Sequence, residues 1–185
     1  MLPAPQNAIR NGIFLVPEDR KRSGLVLELS VAENIVLPDL NSHARRGLVS
    51  TSAIRRTAVR LRKELDIRAP GTEVVAGTLS GGNQQKVVLA KWLALRPKVL
   101  ICDEPTRGID VGAKAEIYRL LRALADAGVA VLMISSDMEE VIGVSDRVAV
   151  MHEGRIGGIL EREELSEHAV LLLATGAGTR ERETA

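Results

Sequence analysis

Cysteine is almost missing from this chain: Cys102 stands alone among 185 residues, so no internal disulfide can form. Residues Met1 to Arg10 also lack the charged-then-apolar pattern of a secretory leader, and the two features together read as cytosolic. Charge of one sign is lacking too. The 25 basic and 24 acidic residues leave a formal charge of +1, which favours neither nucleic acid nor an anionic membrane surface as partner. Aromatics are confined to Phe14, Trp92 and Tyr118, and Phe14 and Trp92 sit at apolar-run positions that suit a core. The longest apolar runs, Val129 to Ile134 and Ala169 to Ala174, fall far short of the roughly 20 residues needed to cross a bilayer. Any service to a membrane is therefore from the side. What is present, 45% apolar and 26% charged residues, is the composition of a globular domain rather than of a disordered chain.

Ile13 to Val16 fits a buried strand closed by Pro17, and the polar stretch Glu18 to Gly24 reads as a loop. Ser30 with Glu33 has capping-box spacing and predicts a short helix that stops before Pro38. Ser50-Thr51-Ser52 leads into Ala53 to Leu65, where Ile54, Ala58, Leu61 and Leu65 recur at helical spacing, an amphipathic surface helix whose basic residues form a solvated face. From Leu79 onward helices and strands alternate: helix Asn83 to Leu95, strand Lys98 to Cys102, helix Val111 to Ala127, strand Val129 to Ile134, helix Asp137 to Gly143, strand Arg147 to Met151. Such alternation implies parallel pairing with right-handed crossovers, hence an α/β layered sheet. Glu153-Gly154 marks a turn, after which Arg155 to Leu160 forms a hairpin partner for the strand before it. The tail from 176 to 185 is too polar to bury and is expected to fray.

Two segments carry chemistry. Leu79-Ser80-Gly81-Gly82-Asn83-Gln84-Gln85-Lys86 opens a helix. Its glycines let a polyanion approach the backbone, the first-turn N–H groups and helix dipole favour negative charge, and Ser80 adds a hydroxyl donor. Read alone, it equally fits a Ser-capped helix after a glycine turn. Val99 to Thr106 is an apolar strand ending in Asp103 and Glu104, which places two carboxylates at the C-terminal edge of a parallel sheet, where open α/β folds bind ligands. There Asp103 can hold Mg²⁺, usually through a water, and Glu104 can orient or deprotonate the water that attacks a terminal phosphate. By itself the pair also fits a helix cap with its first-turn acid.

In this order, about twenty residues apart, the two segments resemble the signature loop and Walker B strand of the ATP-binding cassette (ABC) ATPases. Thr106 to Asp110, with Gly108 and Asp110, resembles the D-loop; Ile134 to Glu140 resembles the switch region, with Ser136 at the switch position; Asp146 to Ile156 resembles the closing strand pair; and Glu18 sits at the Q-loop position. Val16 to Arg22, Gly81 to Lys86 and Asp103 to Lys114 look like the second cassette of the tandem ATPases that drive import of monosaccharides such as ribose, xylose or galactose. The resemblance implies a P-loop NTPase-like ABC ATPase domain lacking its P-loop portion: residues 1–175 overall, about 25–95 a helical signature subdomain and 96–160 the Walker B, D-loop and switch core. It further implies ATP and Mg²⁺ as cofactors, Asp103 as the metal residue, Glu104 as the catalytic one, and Ser80, Gly81, Gly82, Asn83 and Gln84 as contacts to an ATP on a facing cassette. The implied partners are that second cassette, in the same polypeptide or a dimer, a transmembrane permease and, indirectly, a periplasmic or extracellular sugar-binding protein. The implied location is peripheral, on the cytoplasmic face of the plasma membrane. The competing readings are a truncated inactive product and a non-transport ABC ATPase.

A P-loop string, Gly-x-x-x-x-Gly-Lys-[Ser/Thr], is not found; Gly108 to Lys114 is the nearest decoy and belongs to the D-loop and the helix start. No ATP turnover is therefore expected from these residues alone. Glu18 stands where most members have glutamine, and an ionised carboxylate cannot donate a hydrogen bond. Ser136 replaces the switch histidine and brings no positive charge. Without the P-loop portion, strands 99–102 and 130–134 are expected to expose an apolar, unpaired edge. His43, His152 and His168 fall outside the motifs and read as surface residues.

Overall fold

The computed structural model describes residues 4–176, and the chain divides into two compact units, one reaching Ile134 and one starting at Ser135. Most of the expected tail lies outside the described residues.

The first unit begins with helix α1 (Pro5–Arg10) and strand β1 (Ile13–Val16). The stretch expected as a loop then winds into a π-helical turn, Arg20–Gly24, because Asp19 caps it and accepts from the Lys21 and Arg22 amides at 3.0 Å each. Helix α2 (Val31–Val36) starts at Ser30 with both halves of the capping box formed, as the Ser-x-x-Glu spacing predicts. The Ser30 hydroxyl and amide both donate to the Glu33 carboxylate and hold its pKa below the ordinary range. A hairpin that the sequence reading did not include follows, β2 (Ala44–Arg45) and β3 (Leu48–Val49), turning through Arg46 and Gly47 at positive φ. Helix α3 (Thr51–Glu64) buries Ala58 and Leu61 with Leu65 just beyond it, the apolar stripe seen in the sequence. Helix α4 (Gly81–Leu93) is buried over most of its length. Strand β4 (Val99–Asp103), helix α5 (Val111–Asp126) and strand β5 (Ala130–Ile134) complete the unit.

The sheet is parallel, in the order β1-β4-β5, with Leu15 beside Ile101 and Ile101 beside Leu132. One face carries Phe14, Val16, Leu100 and Cys102 into a core shared with Val87, Val88 and Leu89 of α4 and with α2. Phe14 stacks on Trp92 with ring centroids 5.5 Å apart, the core role expected of both. The opposite face is bare: Leu15 is 48% exposed, Leu132 55% and Ile134 48%. Parallel sheets are ordinarily covered on both faces, so this face is an incomplete layer. Strand 99–102 is not the open edge that was expected, because β1 pairs with β4 over Val99–Cys102 and β5 over Val99–Asp103. Among the described residues the free edges of the sheet lie on β1 and on β5, the latter as expected for 130–134.

The second unit holds helix α6 (Met138–Val144), strands β6 (Arg147–His152) and β7 (Arg155–Glu161) and helix α7 (Glu167–Ala174). β6 pairs antiparallel with β7, the hairpin that the Glu153-Gly154 turn signal led to expect, and not in parallel as the alternation of helix and strand alone implied. The turn at Glu153 and Gly154, both at positive φ, brings the next residues back at once, so local closure satisfies the strand. Val148, Val150, Val170 and Leu173 form a separate small core. His43 and His152 are not simple surface residues: His43 bridges the Asp39 carbonyl and the Thr57 hydroxyl at 2.9 Å each, and His152 meets the Ala174 carbonyl at 2.7 Å.

Candidate functional site

Ser80 is the N-cap of α4, yet its hydroxyl makes no capping bond. Instead Oγ accepts from Asn83 Nδ2 at 3.0 Å. The first-turn amides of Gly81, Gly82 and Asn83 have no acceptor within the helix, so they and the dipole present a positive end. The N-terminus of α5 lies alongside, capped by Asp110, whose Oδ1 accepts from the Ala113 amide at 2.9 Å. Between the two helix starts is an open cleft of about 150 Å³ lined by Ser80, Gly82, Asn83, Asp110, Gly112 and Ala113, with Arg68 and Glu116 at its wall.

The two glycines have reasons of their own. A Cβ on Gly82 would lie 2.5 Å from Ala113 Cβ, so Gly82 is what lets α4 approach α5. A Cβ on Gly81 would lie 2.7 Å from a guanidinium nitrogen of Arg20. That arginine, in the stretch read as a loop, donates to the Arg107 carbonyl at 2.8 Å and to the Gly108 carbonyl at 3.0 Å. It thereby ties residues 107 and 108 to the turn after β1 and lies close against Gly81. Glu18 forms an ion pair with Arg107, a second tie between the same two segments. The sequence offered a cluster of basic residues here, but nothing to say which of them reached 87 positions along the chain.

Gln84 is turned inward: its Nε2 faces the carbonyls of Ala76 and Gly77 at 3.3 and 3.4 Å, and its amide donates to the Ser80 carbonyl at 2.9 Å. With both kinds of donor engaged inside the chain, Gln84 braces the loop, while Ser80, Gly82 and Asn83 line the cleft. Beneath the cleft, Lys86 is buried and its ammonium meets Glu116 Oε2 and the Asp66 carbonyl, each at 2.8 Å. Arg68 reaches the other oxygen of Glu116 at 2.7 Å. The Lys86 hydrogen bond is the main reason the Glu116 carboxyl is held below its ordinary pKa, opposed by burial and aided by the nearby Lys86, Arg68 and Arg119 charges.

Asp103 ends β4 and Glu104 follows it with φ of 44°, the left-handed region that costs a non-glycine residue about 1–3 kcal/mol. The Glu104 amide donates to the Ile134 carbonyl at 2.8 Å, its carbonyl accepts from the Arg107 amide at 3.1 Å, and Pro105 and Thr106 between them are buried. Neither acid lines the cleft at Ser80; they form a separate polar spot at the sheet's C-terminal end. Among the described residues no group of three or more His, Cys, Asp or Glu gathers as a metal cage. A magnesium ion bound to a nucleotide needs only one or two carboxylates beside phosphate and water oxygens, so the pair fits that ion. Ser136 lies in the second unit, where Ser135 donates to Glu140 and Asp137 caps α6.

Residues 4–107 match the family profile described as ABC transporter. The chain belongs to the ABC transporter family. Its similarity to the ribose import ATP-binding protein RbsA of Lactococcus lactis subsp. lactis (strain IL1403) is 52% identity over 172 residues, 93% of this chain and 35% of that protein. With RbsA 2 of Streptomyces avermitilis it shares 54% identity over 173 residues, 94% of this chain and 34% of the relative. The chain thus spans about a third of the length of the curated relatives it matches. Among solved structures it resembles the ATP-binding cassette MJ0796, crystallised as a post-hydrolysis dimer with ADP and Pi, at TM-score 0.68 and 25% identity over 83% of this chain and 64% of that one. The ABC transporter cassette MJ1267 resembles it in fold at TM-score 0.73 and 22% identity, over 92% of this chain and 71% of that one. The α/β class read from the sequence is therefore that of ABC cassettes. No helix among the described residues is long and apolar enough to cross a membrane.

Proposed function

We propose that this chain forms the signature-bearing and Walker B part of the ATP-binding subunit of an ABC sugar importer of the ribose type, with its signature loop serving an ATP held by a facing cassette. The observation that carries the reading is the N-cap serine that does not cap: the Ser80 hydroxyl leaves the first-turn amides uncapped, and Ser80, Gly82 and Asn83 line the cleft. In this role Ser80, Gly81 and Gly82 stabilise charge on a terminal phosphate whose other phosphates are gripped by the partner cassette. Asp103 and Glu104 serve the home site: Asp103 would hold Mg²⁺, which when bound neutralises charge on phosphate oxygens, and Glu104 orients and accepts a proton from the attacking water. Glu18, paired with Arg107, and Ser136, without a cationic ring, make the home site the weaker of the two. Of the D-loop residues, Asp110 borders the cleft, and Gly108 is held behind it by Arg20. The second cassette, a membrane permease and a sugar-binding protein complete the assembly, which sits on the cytoplasmic face of the membrane. As domains, 25–95 carries the signature and 96–160 the Walker B and switch core.

The test is ATP-dependent association between this chain and a P-loop-bearing cassette of a ribose import ATPase that cannot hydrolyse ATP, followed by sedimentation. Ser80→Ala should weaken association roughly tenfold or more, the worth of a hydrogen bond to a charged group, whereas Glu104→Gln should leave it nearly unchanged. Equal losses would reject the asymmetry. The chain by itself should release no phosphate from ATP, because no P-loop string holds the nucleotide; steady turnover by the purified chain would sink that part of the proposal.

A further inference from the structure

We infer that Asn83 is a positioning residue that fixes the Ser80 hydroxyl as a hydrogen-bond donor, with its own orientation set by the backbone of Arg68. The inference rests on the proposed role of Ser80 and adds the device that sets that side chain's polarity.

Hydrogen-bond sign fixes the arrangement. The Arg68 amide donates to Asn83 Oδ1 at 2.8 Å. A backbone N–H can only donate, so the atom facing it must be the carboxamide oxygen. The other end of the Asn83 side chain is then the NH₂ group, which can only donate, and it faces Ser80 Oγ at 3.0 Å. A hydroxyl has one hydrogen and two lone pairs, and this contact occupies a lone pair. The Ser80 hydrogen therefore points away from Asn83 and is kept available to an acceptor in the cleft that Ser80 lines, where an anionic oxygen would take it. Arg68 is in turn held by the cleft wall, its guanidinium on Glu116, whose other oxygen takes the buried Lys86. Polarity is thus passed from a fixed amide to a serine through one side chain, with no bond to the ligand itself.

Asn83→Asp is nearly isosteric and reverses the sign. One carboxylate oxygen still accepts from the Arg68 amide, while the other now accepts where Asn83 donated. Ser80 turns its hydrogen inward and presents lone pairs to the cleft.

Two arms test this in the full chain. By NMR, Asn83→Asp should move the Arg68 amide proton downfield, and Ser80→Ala should shift the Asn83 side-chain NH₂ while leaving Arg68 in place; an NH₂ signal indifferent to Ser80 overturns the inference. By sedimentation with the ATP-loaded cassette, Asn83→Asp should weaken association at least as much as Ser80→Ala, roughly ten- to a hundredfold, with thermal unfolding unchanged. In a Ser80→Ala background the same substitution should add less than about threefold, because the hydroxyl it acts through is gone. If the two losses multiply in full, the added carboxylate acts by plain repulsion and the inference fails. If the unsubstituted chain shows no ATP-dependent association, the proposed function falls and takes this inference with it. If it associates and Asn83→Asp does so equally well, only the role of Asn83 is overturned.

Discussion

Gly82→Ala separates a packing need from a ligand need, and its cost can be worked from one distance. The new methyl carbon would stand 2.5 Å from Ala113 Cβ, where carbon atoms prefer about 3.5–4.0 Å. Helices α4 and α5 must then part by roughly 1 Å at their starts, an overpacking cost of about 1–3 kcal/mol. Replacing glycine in a helix returns about 1 kcal/mol, so the net loss is between about 0 and 2 kcal/mol. Ala113→Gly removes the colliding carbon. In that background Gly82→Ala should stabilise the first unit by up to about 1 kcal/mol, a coupling of about 1–3 kcal/mol between the two positions. Urea unfolding of the four variants at low micromolar concentration, followed by the fluorescence of Trp92, the chain's single tryptophan, reads the cycle. An effect of the same sign and size in both backgrounds would refute the packing role. Should the coupling be found, lost ATP-dependent association in Gly82 variants is no measure of phosphate contact, and Ser80→Ala becomes the cleaner probe.

Three further outcomes follow from the same geometry. Arg20→Lys, which keeps charge but loses the fork that holds the carbonyls of Arg107 and Gly108, should deprotect the D-loop amides in hydrogen exchange while leaving those of α3 unchanged; an unaltered D-loop would show that the arginine is only a passive cover. Glu116, with its folded-state pKa depressed, contributes stability that is complete above the ordinary carboxylate range and fades as pH falls through the lowered folded value. Glu116→Gln should flatten that acid limb in unfolding measured from pH 7 to 3, and Glu116→Ala, by leaving the buried Lys86 charge without its carboxylate, should cost about 3 kcal/mol; an unchanged acid limb in the glutamine variant would contradict the assignment. The bare sheet face should make the chain self-associate, and Leu132→Lys should lower the apparent mass in light scattering, whereas identical masses would show that this face is not the cause.

The parts legible in the sequence were those whose causes are local. Ser30 and Glu33 announced α2 because both halves of a capping box lie within one turn. The stripe Ile54, Ala58, Leu61, Leu65 gave α3 its buried side, and the apolar run before Asp103 gave β4. The illegible parts depend on contacts distant in the chain. Arg20 looked like one basic residue among several until the fold brought the D-loop carbonyls to it. Gly82 read as an opening for phosphate, although its tightest neighbour is Ala113, which no spacing rule connects to it. Asn83 and Gln84 were indistinguishable as polar residues after a glycine pair; helical geometry sends one toward Ser80 and the other into the interior. The pairing of β6 with β7, by contrast, was legible, because the Glu153-Gly154 turn that closes it is local.

In the proposed function the bend at residues 80–82 meets a nucleotide gripped mainly by another cassette. A crystal structure of this chain trapped with a P-loop-bearing, ATP-loaded cassette tests it most directly. The expected result is Ser80 Oγ within hydrogen-bonding distance of a terminal phosphate oxygen, with Asn83 still donating to Ser80 from behind. A complex in which the bend faces solvent, remote from any triphosphate, would contradict the account.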